Sequence, residues 1–182
     1  MLTWHDMEAM RESQVLCRWQ VPGGQPARGR ALYMTPNVHL QLMERPWPAI
    51  DGERPRRTQD RRSAMLNVLG RFVRGDALVL EKDIKELGSK RADDRFRGYW
   101  EFRSQGPMTE TRLFGFFPRP GAFLGTFFAG RDEFGPHADP SWLSRRRDCQ
   151  GVWDSLTRCS YLTSPWIVTT RAHLRAYTER TD

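Results

Sequence analysis

This sequence predicts an α+β protein, a single domain in which a central antiparallel β-meander is packed by helices, with an N-terminal and a C-terminal extension. Three observations carry that prediction. Between residues 96 and 131, three short aromatic-rich runs are separated by two turn signals. Segments with apolar residues at helical spacing flank those runs on both sides. The chain has 182 residues, of which 38% are hydrophobic and 28% charged, enough for one well-buried domain but leaving room for a second only if it were small.

The runs read as strands because aromatic and β-branched residues are enriched in them and Gly and Pro bound them. They are Gly98-Tyr99-Trp100-Glu101-Phe102-Arg103, Glu110-Thr111-Arg112-Leu113-Phe114-Gly115-Phe116-Phe117 and Ala122-Phe123-Leu124-Gly125-Thr126-Phe127-Phe128-Ala129. Gln105-Gly106-Pro107 and Pro118-Arg119-Pro120-Gly121 supply the turns. Alternation puts Trp100 and Phe102 on one face and Tyr99, Glu101 and Arg103 on the other. Glu110 and Arg112 separate from Leu113 and Phe117 in the same way, so Arg103 and Arg112 share an exposed, charged half-face with Glu101 and Tyr99. The plainest reading of that half-face is a solvated surface with cross-strand ion pairs.

Upstream, Asp6 to Ser13 reads as a short helix, and Leu16-Cys17-Arg18-Trp19-Gln20-Val21 as a strand ending at Pro22-Gly23-Gly24. Arg30 to Met34 and Val38 to Met43 also read as strands, and this region is expected to add a hairpin to the main sheet. Arg45 to Arg57 is rich in Pro, Arg and Gly without periodicity, which marks a linker. Thr58 is a helix N-cap candidate, followed by Met65, Leu66, Leu69, Phe72 and Val73 at helical spacing and by Gly75 as the stop. The other face of this helix holds Arg61, Arg62, Asn67, Arg71 and Arg74, a basic solvated face by default.

Leu80, Ile84 and Leu87 predict a helical edge closed by Gly88, and Lys90, Arg91, Arg95 and Arg97 precede the first meander strand. After the third strand, Asp139 with Pro140 opens a helix whose buried side carries Trp142, Leu143, Cys149, Val152, Trp153 and Leu156, with Arg145, Arg146 and Arg147 beside it. Both long helices are expected to pack on the sheet, with Leu69, Phe72 and Trp153 buried together against Trp100, Phe102 and Leu113. The chain thus divides into an extension over 1–57, a core over 58–158 and an appendix over 159–182.

The function classes that the composition excludes are several. Cys17, Cys149 and Cys159 form no C-x-x-C pair and leave one over, against a disulfide framework or a cysteine zinc site, and a reducing cytoplasm is the expected setting. His5, His39, His137 and His173 are scattered, which argues against a metal. There is no phosphate-binding glycine loop and no G-x-S-x-G, so no cofactor is expected. No basic-then-apolar leader and no long apolar run stands in the sequence, so neither export nor a membrane span is expected. The balance of 29 Lys+Arg against 22 Asp+Glu is made almost wholly of arginine, which binds phosphate bidentately and stacks on bases. RNA is the natural partner of such a surface.

The order of a basic helix, then Gly98-Tyr99-Trp100-Glu101-Phe102-Arg103, then Thr111-Arg112-Leu113-Phe114-Gly115-Phe116-Phe117, then a third apolar strand ending in a basic residue resembles the RelE/HigB-like (phage Gp49-like) toxins of type II toxin–antitoxin systems. Asp83-Ile84-Lys85-Glu86-Leu87-Gly88 is similar to the segment that leads into their first central strand. The resemblance spans roughly residues 60 to 158 and makes 58–158 a RelE-like core. It implies a metal-independent endoribonuclease acting on mRNA, associated with the ribosome and held by a cognate antitoxin. It implies that Arg103 and Arg112 stabilise phosphate, with Arg131 in place of a lysine after the third strand. Tyr99 and His137 are the further candidates for stacking or proton transfer, and Arg61, Arg71, Arg95, Arg97, Arg145 and Arg146 for nucleic-acid binding. The chain departs from the family pattern at Arg131-Asp132, where two basic residues are usual. The alternative is a non-catalytic accessory protein that uses the same basic face to grip nucleic acid or a protein partner.

Overall fold

The computed structural model describes residues 2–21, 30–43, 47, 55–87, 99–105, 110–134 and 140–159, with the side chains of 55–57, 132, 140–143, 145–146 and 157–159 outside that description. In chain order the elements are α1 (Trp4–Glu12), β1 (Cys17–Trp19), β2 (Ala31–Met34), α2 (Pro36–Met43), α3 (Pro55–Arg74), β3 (Ile84–Glu86), β4 (Tyr99–Arg103), β5 (Thr111–Arg119), β6 (Ala122–Gly130) and α4 (Pro140–Cys159). The strands form one mixed sheet in the order β1-β2-β6-β5-β4-β3. Its centre is the antiparallel meander β4-β5-β6 that the aromatic runs predict.

Turn chemistry fixes that meander. Arg119 pairs with Ala122 across Pro120 and Gly121, and Gly121 has φ 78°, the positive value that the second central residue of a type II turn requires after proline. The β5–β6 register shifts at Phe114/Gly115, and there the backbones approach so closely that a Cβ on Gly115 would run into the carbonyl oxygen of Leu124. Only glycine fits such a bulge.

Each face of the sheet buries its own core. Trp100, Phe102, Leu113, Phe117 and Phe123 pack with Met65, Leu69 and Phe72 of α3, as the alternation predicts. The ring centroids of Phe72 and Phe102 lie 5.2 Å apart, and those of Phe102 and Phe123 4.7 Å. On the opposite face Tyr99, Phe114, Phe116 and Leu124 pack with Met7 and Met10 of α1 and with Cys149, Trp153 and Leu156 of α4. This corrects one expectation: Trp153 lies 5.0 Å from Phe116, not beside Trp100, because α4 covers the face that α3 does not. The sheet is therefore the middle layer of three, and Thr111 to Pro118 is buried throughout.

The N-terminal residues belong to the same sheet. Cys17 to Trp19 pair antiparallel with Leu32 to Met34, and β2 then joins β6 in parallel, from Ala31 opposite Ala122 to Met34 opposite Gly125. The segment expected as a strand over Val38 to Met43 is the helix α2. Pro36 stands at its first position, the carbonyl of Thr35 accepts the His39 N–H at 3.0 Å, and Val38 and Leu42, four apart, turn inward together. An apolar residue at every second position fits a strand, but the pair at i and i+4 fits a helix equally well, and the proline decides.

Three smaller differences have similar local causes. α1 starts at Trp4 because Thr3 and Asp6 form a reciprocal capping box. α3 starts at Pro55, before the expected cap Thr58, which is buried inside the helix. It ends as expected at Gly75, φ 83°, where Asp76 N–H bonds to Arg71 O and Gly75 N–H to Phe72 O, a Schellman pair. The helical edge expected over Leu80, Ile84 and Leu87 is instead the strand β3, drawn into the sheet by pairing of Ile84 with Phe102. Among the described residues no helix is long and apolar enough to cross a membrane.

Candidate functional site at the arginine end of the meander

Arg103 ends β4, and register places it opposite Arg112 near the start of β5. Thr111 in turn faces Gly130, and the Arg131 N–H bonds to the Glu110 carbonyl at 2.7 Å. Three of the residues singled out from the sequence, Arg103, Arg112 and Arg131, are thereby brought to one end of three neighbouring strands. Arg131 donates to the Phe134 carbonyl at 2.8 Å, and the Phe134 ring packs on Phe114, the register partner of Glu101.

The cluster is not the open half-face that alternation alone predicts. Arg112 is only 1% exposed and Glu101 3%. Glu101 bridges the two strand arginines, with one carboxylate oxygen 3.4 Å from Arg103 Nε and the other 3.4 Å from Arg112 Nε. Arg112 also donates to the Thr111 carbonyl at 3.2 Å and to Glu110. Arg103 donates to the Glu81 carbonyl and lies 3.9 Å from Glu110. The physical reason for the correction is local cover: the loop at Glu81 closes over Arg103, and Glu110 and Glu101 close over Arg112, groups that a bare sheet would leave to water.

Charge and hydrogen bonding are not matched atom for atom here. Glu101 Oε2, Arg103 Nε and Arg112 Nε are buried without an aligned hydrogen-bond partner, so the contacts at 3.4 Å are ionic contacts without a hydrogen bond's direction. Burial pushes the Glu101 carboxyl above its ordinary value, and it does so against the opposing pull of Arg112, Arg103 and Lys85. The desolvation of a nearly enclosed carboxylate outweighs two flanking guanidiniums.

A tight loop closes the β3 side. Glu81 takes a left-handed conformation with φ 66°, unusual for a residue with a side chain. Asp83 accepts the Val79 N–H at 2.8 Å and pairs with Arg71 at 2.9 Å, the Asp83 carbonyl accepts the Arg103 N–H at 2.8 Å, and Gln105 donates to the Lys82 carbonyl at 3.0 Å. Lys85 lies 3.7 Å from Glu81 and faces Glu101 across the β3–β4 register.

The other residues expected at the site are placed apart from it. Tyr99 is buried, its hydroxyl donates to Gln150 Oε1 at 3.0 Å, and its ring lies 4.5 Å from Phe116. Four residues along a strand separate it from Arg103 by about 13 Å, so it packs α4 and does not join the arginines. Arg61 is buried on α3 and not on a solvated face, and Arg71 is engaged by Asp83 and the Ala77 carbonyl. Arg145 and Arg146 stand in α4, with side chains outside the described set. Arg95, Arg97 and His137 lie outside the described residues. Among the described residues no three His, Cys, Asp or Glu side chains gather as a metal would require.

What sequence reasoning missed is the burial of the cluster, not its acids: Glu101 and Glu110 are expected beside the arginines, but on a solvated face. Glu101 and Glu110 sit at i−2 from Arg103 and Arg112 respectively, the spacing that puts each acid on the same strand face as its arginine. No protein family, curated protein or solved structure compared with this chain matches it.

Proposed function

We propose that this chain is an RNA-directed protein that engages phosphate at the arginine end of its meander. Within that class the reading supported best is a RelE/HigB-like toxin, a metal-independent endoribonuclease that acts on mRNA at the ribosome and is restrained by an antitoxin. The observation that carries it is the placement of Arg103 on β4, Arg112 on β5 and Arg131 just past β6 at one end of the meander, the first two against a buried carboxylate with a raised affinity for protons. Metal-free cleavage of RNA needs cations for the pentacovalent phosphate, a base for the 2′-hydroxyl and an acid for the leaving 5′-oxygen, and a carboxyl that is neutral with phosphate bound suits the last of these. Arg103, Arg112 and Arg131 are assigned to the phosphate, with Arg103 and Arg131, the less buried of the three, meeting it first.

One observation favours a second reading, a non-catalytic accessory that binds RNA or protein: both strand arginines already have carboxylate partners. Inducible expression in bacteria separates the two. The toxin reading expects growth arrest, relieved by Arg103→Ala or Arg131→Ala, and RNA binding that weakens steeply with salt. Salt-sensitive binding with undisturbed growth favours the accessory; undisturbed growth with no RNA binding at low salt rejects an RNA partner and leaves only an accessory that binds protein.

A further inference from the structure

We propose that the Glu101–Arg103–Arg112 cluster is a proton-coupled anion site, in which a phosphate group takes over the two guanidiniums that Glu101 now holds and Glu101 takes up one proton as it releases them. The ligand class is a phosphodiester or inorganic polyphosphate, and only its identification with RNA rests on the reading above.

The geometry supplies the argument. Glu101 uses one carboxylate oxygen on each arginine, and neither contact is an aligned hydrogen bond. Both Nε–H groups therefore keep their directional capacity for a better acceptor. A phosphate offers tetrahedral oxygens that match the planar fork of a guanidinium, which a carboxylate shared between two forks does not. Arg103 and Glu110 give the way in, since their side chains are 24% and 37% exposed, whereas those of Arg112 and Glu101 are 1% and 4% exposed.

Charge then forces the proton. The groups facing Glu101 are Arg103 on its own strand, Arg112 from β5, Glu110 just before β5, and Lys85 from β3. Once a phosphate holds the Arg103 and Arg112 guanidiniums, an ionised Glu101 would be left enclosed without its two closest counter-charges and beside a new anion, where repulsion is screened far less than in solvent. A carboxylate that takes one proton from solvent as one phosphodiester charge enters leaves the net charge of the cluster unchanged. Burial already favours the neutral acid, so the exchange runs in the direction that the site prefers.

The test is titration calorimetry of the full chain near neutral pH, with pyrophosphate and with a short single-stranded RNA as probes, in buffers of different ionisation enthalpy. The expected result is uptake of close to one proton per protein molecule on saturation with either probe, with affinity falling about tenfold per pH unit once Glu101 is ionised in the free protein. Glu101→Gln should bind with no uptake and with a flattened pH profile. Should that variant not fold, difference infrared spectroscopy of the wild type decides, because a protonated-carboxyl band should appear as pyrophosphate is added. Binding without proton uptake, uptake that persists in Glu101→Gln, or no binding of either probe overturns the proposal. Binding of pyrophosphate with uptake but no binding of RNA sustains the anion site and rejects RNA as its ligand.

Discussion

Arg112→Ala should be among the most destabilising single changes in this chain, although a basic residue on a strand invites the opposite expectation. The side chain is 1% exposed, donates to Thr111 and Glu110, and stands 3.4 Å from a carboxylate that is itself enclosed. Truncation removes those hydrogen bonds and strands Glu101 with Arg103 and Lys85 only. Breaking a buried ion pair by deleting one partner costs about 3–5 kcal/mol, against about 0.2–1 kcal/mol for an exposed pair. Set beside a typical total of about 5–15 kcal/mol, that loss would bring the domain near its unfolding threshold. Urea unfolding at pH 7, followed by tryptophan fluorescence, measures it. The double variant Glu101→Met/Arg112→Met should recover most of the loss, because an apolar pair leaves no uncompensated charge. A loss below about 1 kcal/mol for Arg112→Ala, the range of a surface pair, would refute the buried cluster.

Three further outcomes are expected. Gly115→Ala should destabilise by about 1–3 kcal/mol or more, since the methyl meets the Leu124 carbonyl and the β5–β6 backbones must part; unchanged stability in the same urea assay would contradict that close approach. Trp100→Ala should cost about 3–5 kcal/mol as a fully buried cavity, and near-native stability would mean that the faces of β4 are exchanged. Because burial holds Glu101 above its ordinary value of 4.5, the folded chain binds more protons than the unfolded one from about that pH upward. Stability should therefore fall as pH rises through that window, and Glu101→Gln should remove this part of the slope; an identical slope in the variant would show that Glu101 is not its source.

How much of this was legible in the sequence follows from the range of the forces involved. The meander could be read because its turns and its alternation are local: Pro120-Gly121 sets one hairpin, and Trp100 and Phe102 turn inward as spacing requires. α3 could be read for the same reason, with Gly75 as its stop. The face carrying Arg103 and Arg112 reads as open from the sequence because its cover comes from distant segments, α1 and α4 over Tyr99 and Phe116 and the Glu81 loop over Arg103. The continuous run Leu113-Phe114-Gly115-Phe116-Phe117 signals a strand buried on both sides, and its weight against the two charged residues can be judged only with the third layer in place. The strand expected at Val38 to Met43 failed at Pro36, a local signal overruled by an apparent alternation. At the site, the clustering of Arg103, Arg112 and Arg131 follows from strand order, whereas the burial of Glu101, which sets the chemistry, depends on packing that no motif encodes.

The most direct test of the functional proposal is an end-group assay. Purified full-length protein is incubated with labelled mRNA, free in EDTA and ribosome-bound in magnesium buffer, and the new ends are identified. The proposal predicts cleavage that leaves 2′,3′-cyclic phosphate, persists on any free RNA in EDTA, and slows by about 10²–10³ when Arg103 is replaced by Lys, since a point charge replaces a planar fork. No cleavage of either RNA, or an Arg103→Lys variant as fast as the wild type, would contradict it.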